Sequence, residues 1–508
     1  MRKIIFISLL SFFIFHLSFV HGQAVNEIPV LSGEKWWGMF AGNSPVQPFG
    51  EVFEVNTAGL DGSGFYTGCL VSSAGRYIRS EEPVRVVFDG KKFTITSEST
   101  KVGAEKGGRT LRQAYLAMHH SDFKGTDKFP SPELFSNIVY ETSADFGFLQ
   151  TAEDILAYAR RLLDEGYPAG IMVLADGWRD PAQSDFDRRS YPDPRAFVDE
   201  MHSLGFKVML TVRPYMAAYG AAYARFNGSG LLVGDPQGAW TMHLPEGVCA
   251  VVDVRNQRTA AAIKEGLHSV MERYGIDGFR MDCLDFIEQY CVLYRDASPE
   301  KEAFLKAWHE IGADFALCEF MPGLPEYQTD CVSFICGNLN DVITAGLAAG
   351  PFTFIEYMKE MWGYPGESGE PDLHRVRTAA MQLMMPVAHV RFAPWKYDFA
   401  AAEMKRTLLF RAGLSKYMEK AYAESCKTVE PIVRPMEYIF AGDGFADCND
   451  QYMLGDRYLI APALDDNSKR LVRLPKGTWR DMNGKKHKGP LVLEAETDGY
   501  RMIWFELQ

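Results

Sequence analysis

Several features that would classify this chain quickly are missing from it. Its 9 cysteines form no Cys-x-x-Cys pair, and no histidines stand at metal-binding spacing, so no metal site is expected. An odd, scattered set of cysteines reads as buried thiols, with a bridge or two at most if the chain is exported. No Gly-x-Gly-x-x-Gly follows a strand pattern, which speaks against a dinucleotide-binding open sheet. Positive charge is in deficit: the formal net charge is -13, which argues against nucleic acid or an anionic membrane surface as the general partner. After residue 22 no run is long and apolar enough to cross a membrane, and there is no internal repeat or low-complexity tract.

What is present is an ordinary globular composition, 47% hydrophobic and 23% charged, which excludes disorder as the default. At 508 residues the chain is too long for one core, so two to three domains are expected. Residues 1–22 read as a cleaved secretory signal. Arg2 and Lys3 precede an apolar run from Ile4 to Val20, and Ser18, His21 and Gly22 lead to a cut before Gln23. The expected location is therefore periplasmic or secreted, with no membrane span left after cleavage.

From 23 to 128 short alternating runs predict an N-terminal β-sandwich-like domain. Glu51-Val-Phe-Glu-Val, Val84-Arg-Val-Val-Phe and Lys92-Phe-Thr-Ile-Thr are examples, with Asp89-Gly90 as a hairpin turn. From 129 to 415 the period changes. Thr151 caps an amphipathic helix over Ala152–Leu163. Buried strands follow at Gly170–Ala175, read as the first of the sheet, at Phe206–Val212 and at Ala250–Val254. Helices are expected at Pro194–Leu204 and at about Ala260–Tyr274. Alternating helices and buried strands mean a parallel sheet, and polar residues at the strand ends (Asp176, Arg213, Asp253, Asp282) favour a (β/α)8 TIM barrel. Residues 215–248 are expected as an insertion over its mouth, and 416–508 as a C-terminal β domain.

The stretch with most chemistry is Tyr274-Gly-Ile-Asp-Gly-Phe-Arg-Met-Asp282-Cys-Leu-Asp285. It predicts a buried strand from Ile276 to Met281 with Asp282 at its carboxyl end, where a parallel barrel places its reactive groups. Arg280, two residues back, leaves the strand on the same face. A cation beside a carboxylate favours the ionised form that a carboxylate nucleophile needs.

Asp277-Gly-Phe-Arg-Met-Asp282 resembles the nucleophile strand of glycoside hydrolase family 31, the α-glucosidase, α-xylosidase and α-galactosidase family. Glu430-Pro-Ile-Val-Arg-Pro-Met-Glu437, Asp450-Gln-Tyr-Met-Leu-Gly-Asp456, Leu459-Ile-Ala-Pro462 and Leu474-Pro-Lys-Gly-Thr-Trp479 resemble its late signatures in order. Ser72–Ser80 resembles the end of its N-terminal β domain. The resemblance implies a retaining, exo-acting α-glycosidase without cofactor, acting on the terminal sugar of an oligosaccharide or glycoside. Asp282 is then the nucleophile. Two carboxyl groups ~5–5.5 Å apart are required across the sugar. The acid/base falls best on Asp330, with Asp341, Glu326 and Glu319 as rivals. Asp176, Trp178, Arg213, Arg280, Asp285, Glu356, His389 and Arg391 are the implied sugar contacts. Ala175 stands where many relatives carry an acid, and Arg213 and Arg391 together could read an acidic sugar. A catalytically silent sugar-binding relative and an α-transglycosylase remain the alternatives.

Overall fold

The computed structural model describes residues 24–41, 44–57, 65–80, 82–98, 101–119, 130–179, 185–235, 238–244, 247–283, 299–321, 332–335, 339–349, 353–356 and 373–508. The proposed signal segment 1–22 and the site candidates Asp285, Glu326 and Asp330 lie outside the described residues. Among the described residues no helix is long and apolar enough to cross a membrane.

The N-terminal domain is built from two four-stranded antiparallel sheets. One pairs Ala24–Pro29, Lys92–Ser97, Val84–Phe88 and Phe53–Asn56. The other pairs Trp36–Ala41, Phe65–Ser72, Arg76–Arg79 and Ala104–Lys106. Alternation along Val84–Phe88 turns Val84, Val86 and Phe88 inward against Trp36, Phe93 and Ile95. The Asp89-Gly90 hairpin forms as its residues dictate. Gly90 takes φ +88°, and the Asp89 carboxylate accepts the N–H groups of Lys91 and Lys92.

The central domain is an all-parallel eight-stranded sheet. Its strands are β1 (Ile138–Glu141), β2 (Ile171–Leu174), β3 (Lys207–Val212), β4 (Gly278–Asp282), β5 (Cys318–Met321), β6 (Val332–Ile335), β7 (Thr353–Glu356) and β8 (Ala388–Val390). Their order runs from β7 sequentially down to β1, with β8 beside β1, the arrangement a barrel requires. The first strand was not visible in the sequence reading, so Gly170–Ala175 supplies the second strand and Phe206–Val212 the third. Ala250–Val254 does not join the barrel. Gly247–Val251 pairs antiparallel with Tyr215–Ala217 and Thr241–Leu244 in a small sheet of the insertion, and Asp253 follows that strand. Its apolar run is buried under the insertion, and a buried run alone cannot say which sheet it enters.

Helix Ala152–Asp164 begins with a capping box in which Thr151 and Asp154 satisfy each other's backbone N–H. The helix Ser415–Thr428 packs against the segment that leads into the barrel. Its Tyr422 donates to Pro130 O at 2.5 Å and lies against Phe135. The C-terminal unit proper is a six-stranded antiparallel sheet over 433–507, with Trp479 in its core.

Two glycines place the strand that carries Asp282. Gly275, at φ +79°, closes helix Gln257–Tyr274 in the left-handed conformation. Gly278 lies so close to β5 that an added Cβ would stand 2.0 Å from the Leu317 carbonyl oxygen. Gly278→Ala must therefore push β4 and β5 apart. The expected cost is about 2–4 kcal/mol, read as a lower urea midpoint. Wild-type stability in that variant would contradict this account of the strand spacing.

Candidate active site

Arg280 and Asp282 alternate with Phe279 and Met281 along β4, so two side chains face the barrel interior while two enter the surrounding apolar core. Register places Glu319 of β5 and Thr211 of β3 opposite Arg280. The guanidinium grips Glu141, the last residue of β1, through both oxygens. Its Nη2 donates to Oε1 at 3.0 Å and its Nη1 lies 2.8 Å from Oε2. On the other side its Nε donates to Glu319 Oε2 at 2.9 Å. His389 of β8 completes the group, with Nδ1 2.6 Å from Glu141 Oε1 and Nε2 2.9 Å from Glu319 Oε1. Arg391, just past β8, adds Nη1 at 3.3 Å from Glu141 Oε2.

A carboxylate in such a place survives only if paired. Burial opposes the charge on Glu141, but the fields of Arg280, Arg391 and His389 prevail and hold its carboxyl well below the usual range. Glu319 is likewise penalised by burial, yet Arg280 and His389 bring it down to about 2. Burial disfavours the imidazolium of His389, but the charge of Glu319 and the hydrogen bonds to both carboxylates raise it to about 9. Glu319 is thus a clamped anion with no proton to give near neutral pH, the opposite of what a general acid needs.

Asp282 lies one step further toward the mouth. The cation beside it is Arg213, at the end of β3, with Nε 3.4 Å from Oδ2. Side-chain exposures of 12% for Arg213 and 11% for both Asp282 and Arg391, against 0% for Glu319 and His389, separate a rim layer from a dry layer beneath it. Both rim arginines, which the sequence offers to an acidic sugar, face carboxylates of the protein itself. His389, expected at the sugar, lies in the dry layer.

The other expected site residues are distributed around the same end. Asp176 opens a one-turn helix, Asp176–Trp178, directly after β2. Trp178 is buried against Phe186 and donates its indole N–H to Thr211 O at 2.7 Å, which ties this turn to β3. Glu356 ends β7, and Asp341 is in helix Leu339–Ala349 after β6. Glu141 was missed by sequence reading. The available signal was Ile138-Val-Tyr-Glu141, an apolar triplet closed by an acid, as β4 is closed by Asp282. Among the described residues no cluster of His, Cys, Asp and Glu could hold a metal ion.

The glycosyl hydrolases family 31 TIM-barrel domain matches residues 140–333, and the glycosyl hydrolase family 31 C-terminal domain matches 429–504, together a little over half of the chain. The chain belongs to glycoside hydrolase family 31. It is 24% identical over 422 residues to the myogenesis-regulating glycosidase of Mus musculus, covering 76% of this chain and 58% of that one. It is 26% identical over 338 residues to alpha-xylosidase XylQ of Lactiplantibacillus pentosus, covering 60% of this chain and 44% of that one. The chain thus spans about half the length of these curated relatives. In fold it is similar to a Flavobacterium johnsoniae GH31 dextranase complexed with glucose, with a TM-score of 0.78 and 16% identity over 96% of this chain and 67% of that one.

Removing one partner from the dry cluster strands a buried cation. Glu319→Ala is expected to cost about 3–5 kcal/mol near pH 6. The sign with pH is fixed: the Glu319 contribution is complete above its ordinary 4.5 and lost as pH falls through about 2. The gap between wild type and variant should therefore close in acid. Urea unfolding at pH 6 and at pH 3 checks this, and a gap that widens in acid would refute the assignment of Glu319 as a paired anion.

Proposed function

We propose that this chain is an exported, exo-acting, retaining α-glycosidase in which Asp282 is the nucleophile. The observation that carries the reading is the position of Asp282. It is an acid at the carboxyl end of a barrel strand, slightly exposed, and held beside the Arg213 guanidinium. In the first step an Asp282 oxygen attacks the anomeric carbon of the terminal sugar. The glycosidic bond breaks toward the leaving oxygen, which takes a proton from the acid/base. In the second step the same residue, now a base, removes a proton from water. That water displaces Asp282 from the anomeric carbon and returns the carboxylate. Two inversions leave the α configuration intact.

The acid/base is assigned to Asp330, in the stretch of sequence between β5 and β6. The properties of Glu319 support this by removing one rival. Names among the relatives (alpha-xylosidase, 1,3-alpha-isomaltosidase, and sulfoquinovosidase from Agrobacterium fabrum) support an α-linked terminal sugar as substrate. The apolar run behind Arg2 and Lys3 supports export.

The experiment is a screen of aryl α-glycosides, neutral and acidic, with product configuration read by proton NMR. Free sugar should appear first as the α anomer. Asp282→Ala should fold normally and lose at least about 10⁴-fold in kcat, since the covalent step has no other nucleophile. A well-folded Asp282→Ala protein with normal turnover would end this reading. An initial β anomer would end the double displacement, and transfer of the sugar to an added acceptor in preference to water would reclassify the reaction as transglycosylation.

A further inference from the structure

His389 is surrounded on every side that faces the barrel interior by charge. Glu141 comes from β1, Arg280 from β4, Glu319 from β5, and Arg391 from two residues along its own chain. On its outer side a small void is lined by Gln382 and Tyr397, with Leu383, Met404 and Leu408. Burial raises the Tyr397 phenol, so that side offers no second anion. The imidazole is fully buried, and a carboxylate oxygen lies within 2.6 Å of one ring nitrogen and 2.9 Å of the other. A neutral ring has one hydrogen for two acceptors, whereas the imidazolium has one for each. A carboxylate beside each ring nitrogen, hydrogen-bonded at Nδ1 and ion-paired at Nε2, favours the doubly protonated ring.

The consequence extends to β4. Glu141 and Glu319 are the two carboxylates that hold the Arg280 guanidinium, and Arg280 is separated from Asp282 by a single residue on a five-residue strand. We propose that His389, as an imidazolium bridging Glu141 and Glu319, is a positioning residue that sets Arg280 and, through the shared strand, the carboxylate of Asp282. This rests on the reading of Asp282 as nucleophile and assigns His389 a role that does not require it to touch sugar. When the ring loses its proton, one carboxylate loses its donor. The cluster then carries two anions against two guanidiniums across a broken bridge, and the strand beneath the nucleophile is no longer fixed. Activity should fall as that proton leaves.

The test joins a spectroscopic readout to a kinetic one. Nitrogen-15 NMR of histidine-labelled protein, with the His389 signals assigned by their loss in His389→Gln, gives the titration of the ring. The pH profile of kcat on an aryl α-glycoside gives the alkaline limb. In wild type both should report a midpoint of about 9. Glu319→Gln keeps the shape of the side chain and removes one anion, so the ring should titrate about one to three units lower. The alkaline limb of kcat should move down with it, and KM should stay nearly constant. Glu141→Gln should do the same, which keeps the test open if one variant fails to fold.

A ring that titrates near its ordinary 6.5 in wild type would overturn the bridging imidazolium. A ring pKa that falls while the kcat limb stays in place would overturn the positioning role and leave the nucleophile assignment standing. A wild-type protein with no turnover of any α-glycoside would overturn the nucleophile reading, and this proposal with it.

Discussion

The interior of this barrel depends on a buried guanidinium. Arg280 is almost wholly buried, and an ion of that size withdrawn from solvent is tolerated only with close counter-charges. The structure supplies them from across the sheet, Glu141 from β1 and Glu319 from the adjacent β5, and then ties the two acids together through His389 from β8. Four strands far apart in sequence are thereby fixed against one another by directional bonds. Apolar packing on the outer face of the same strands is strong but indifferent to small slips in register. A bidentate pair such as Arg280 with Glu141 is not.

Above that layer the rim is held by bonds between neighbouring loops. Thr142, after β1, receives the Ala175 N–H at 2.9 Å. Gln150 donates to Ala175 O at 2.7 Å and accepts from Thr142 Oγ1 at 2.6 Å. Trp178 carries the chain of contacts on to β3. On the other flank Asp145 takes the Ala393 N–H at 2.6 Å and the Lys396 ammonium at 2.7 Å, joining the loops after β1 and β8. Burial raises the Asp145 carboxyl against the pull of Lys396. The segments that carry Asp176 and Arg391 are thus anchored on the barrel strands by bonds between neighbouring loops.

Much of this architecture was legible because the barrel strands are buried on both faces, and that yields short apolar runs closed by a polar residue. β4 was clear for this reason, with Asp282 at its end. The N-terminal sandwich was clear for the opposite reason, since alternation and the Asp89-Gly90 turn define half-buried strands. β1 escaped because three apolar residues between Asn137 and Glu141 make too short a signal beside the amphipathic helix that follows. Gly247–Val251 misled because burial beneath an insertion produces the same apolar run as burial in the barrel. The charged layer could not be read as a unit. Arg280 and His389 were individually visible, but the pairing of Glu141 with Glu319 follows from barrel closure, which brings together positions 178 residues apart.

The helix Ala401–Gly413 and the last strand, Met502–Leu507, meet through Phe410 and Trp504, whose rings stack at 3.9 Å with an interplanar angle of 13°. Arg406 lies over the same indole at 4.4 Å, and Tyr452 donates to Met384 O at 3.3 Å from the next layer. One continuous apolar core therefore contains residues of the barrel and of the C-terminal sheet alike. The two are separate on paper and inseparable in water. A chain shortened at Thr428 would bare the flat face of Phe410 together with the surface that Tyr452, Tyr458 and Trp504 now cover. The product would be a sticky fragment, not a minimal barrel, and ribosomal synthesis must reach the final strand before the barrel beneath it can be sealed.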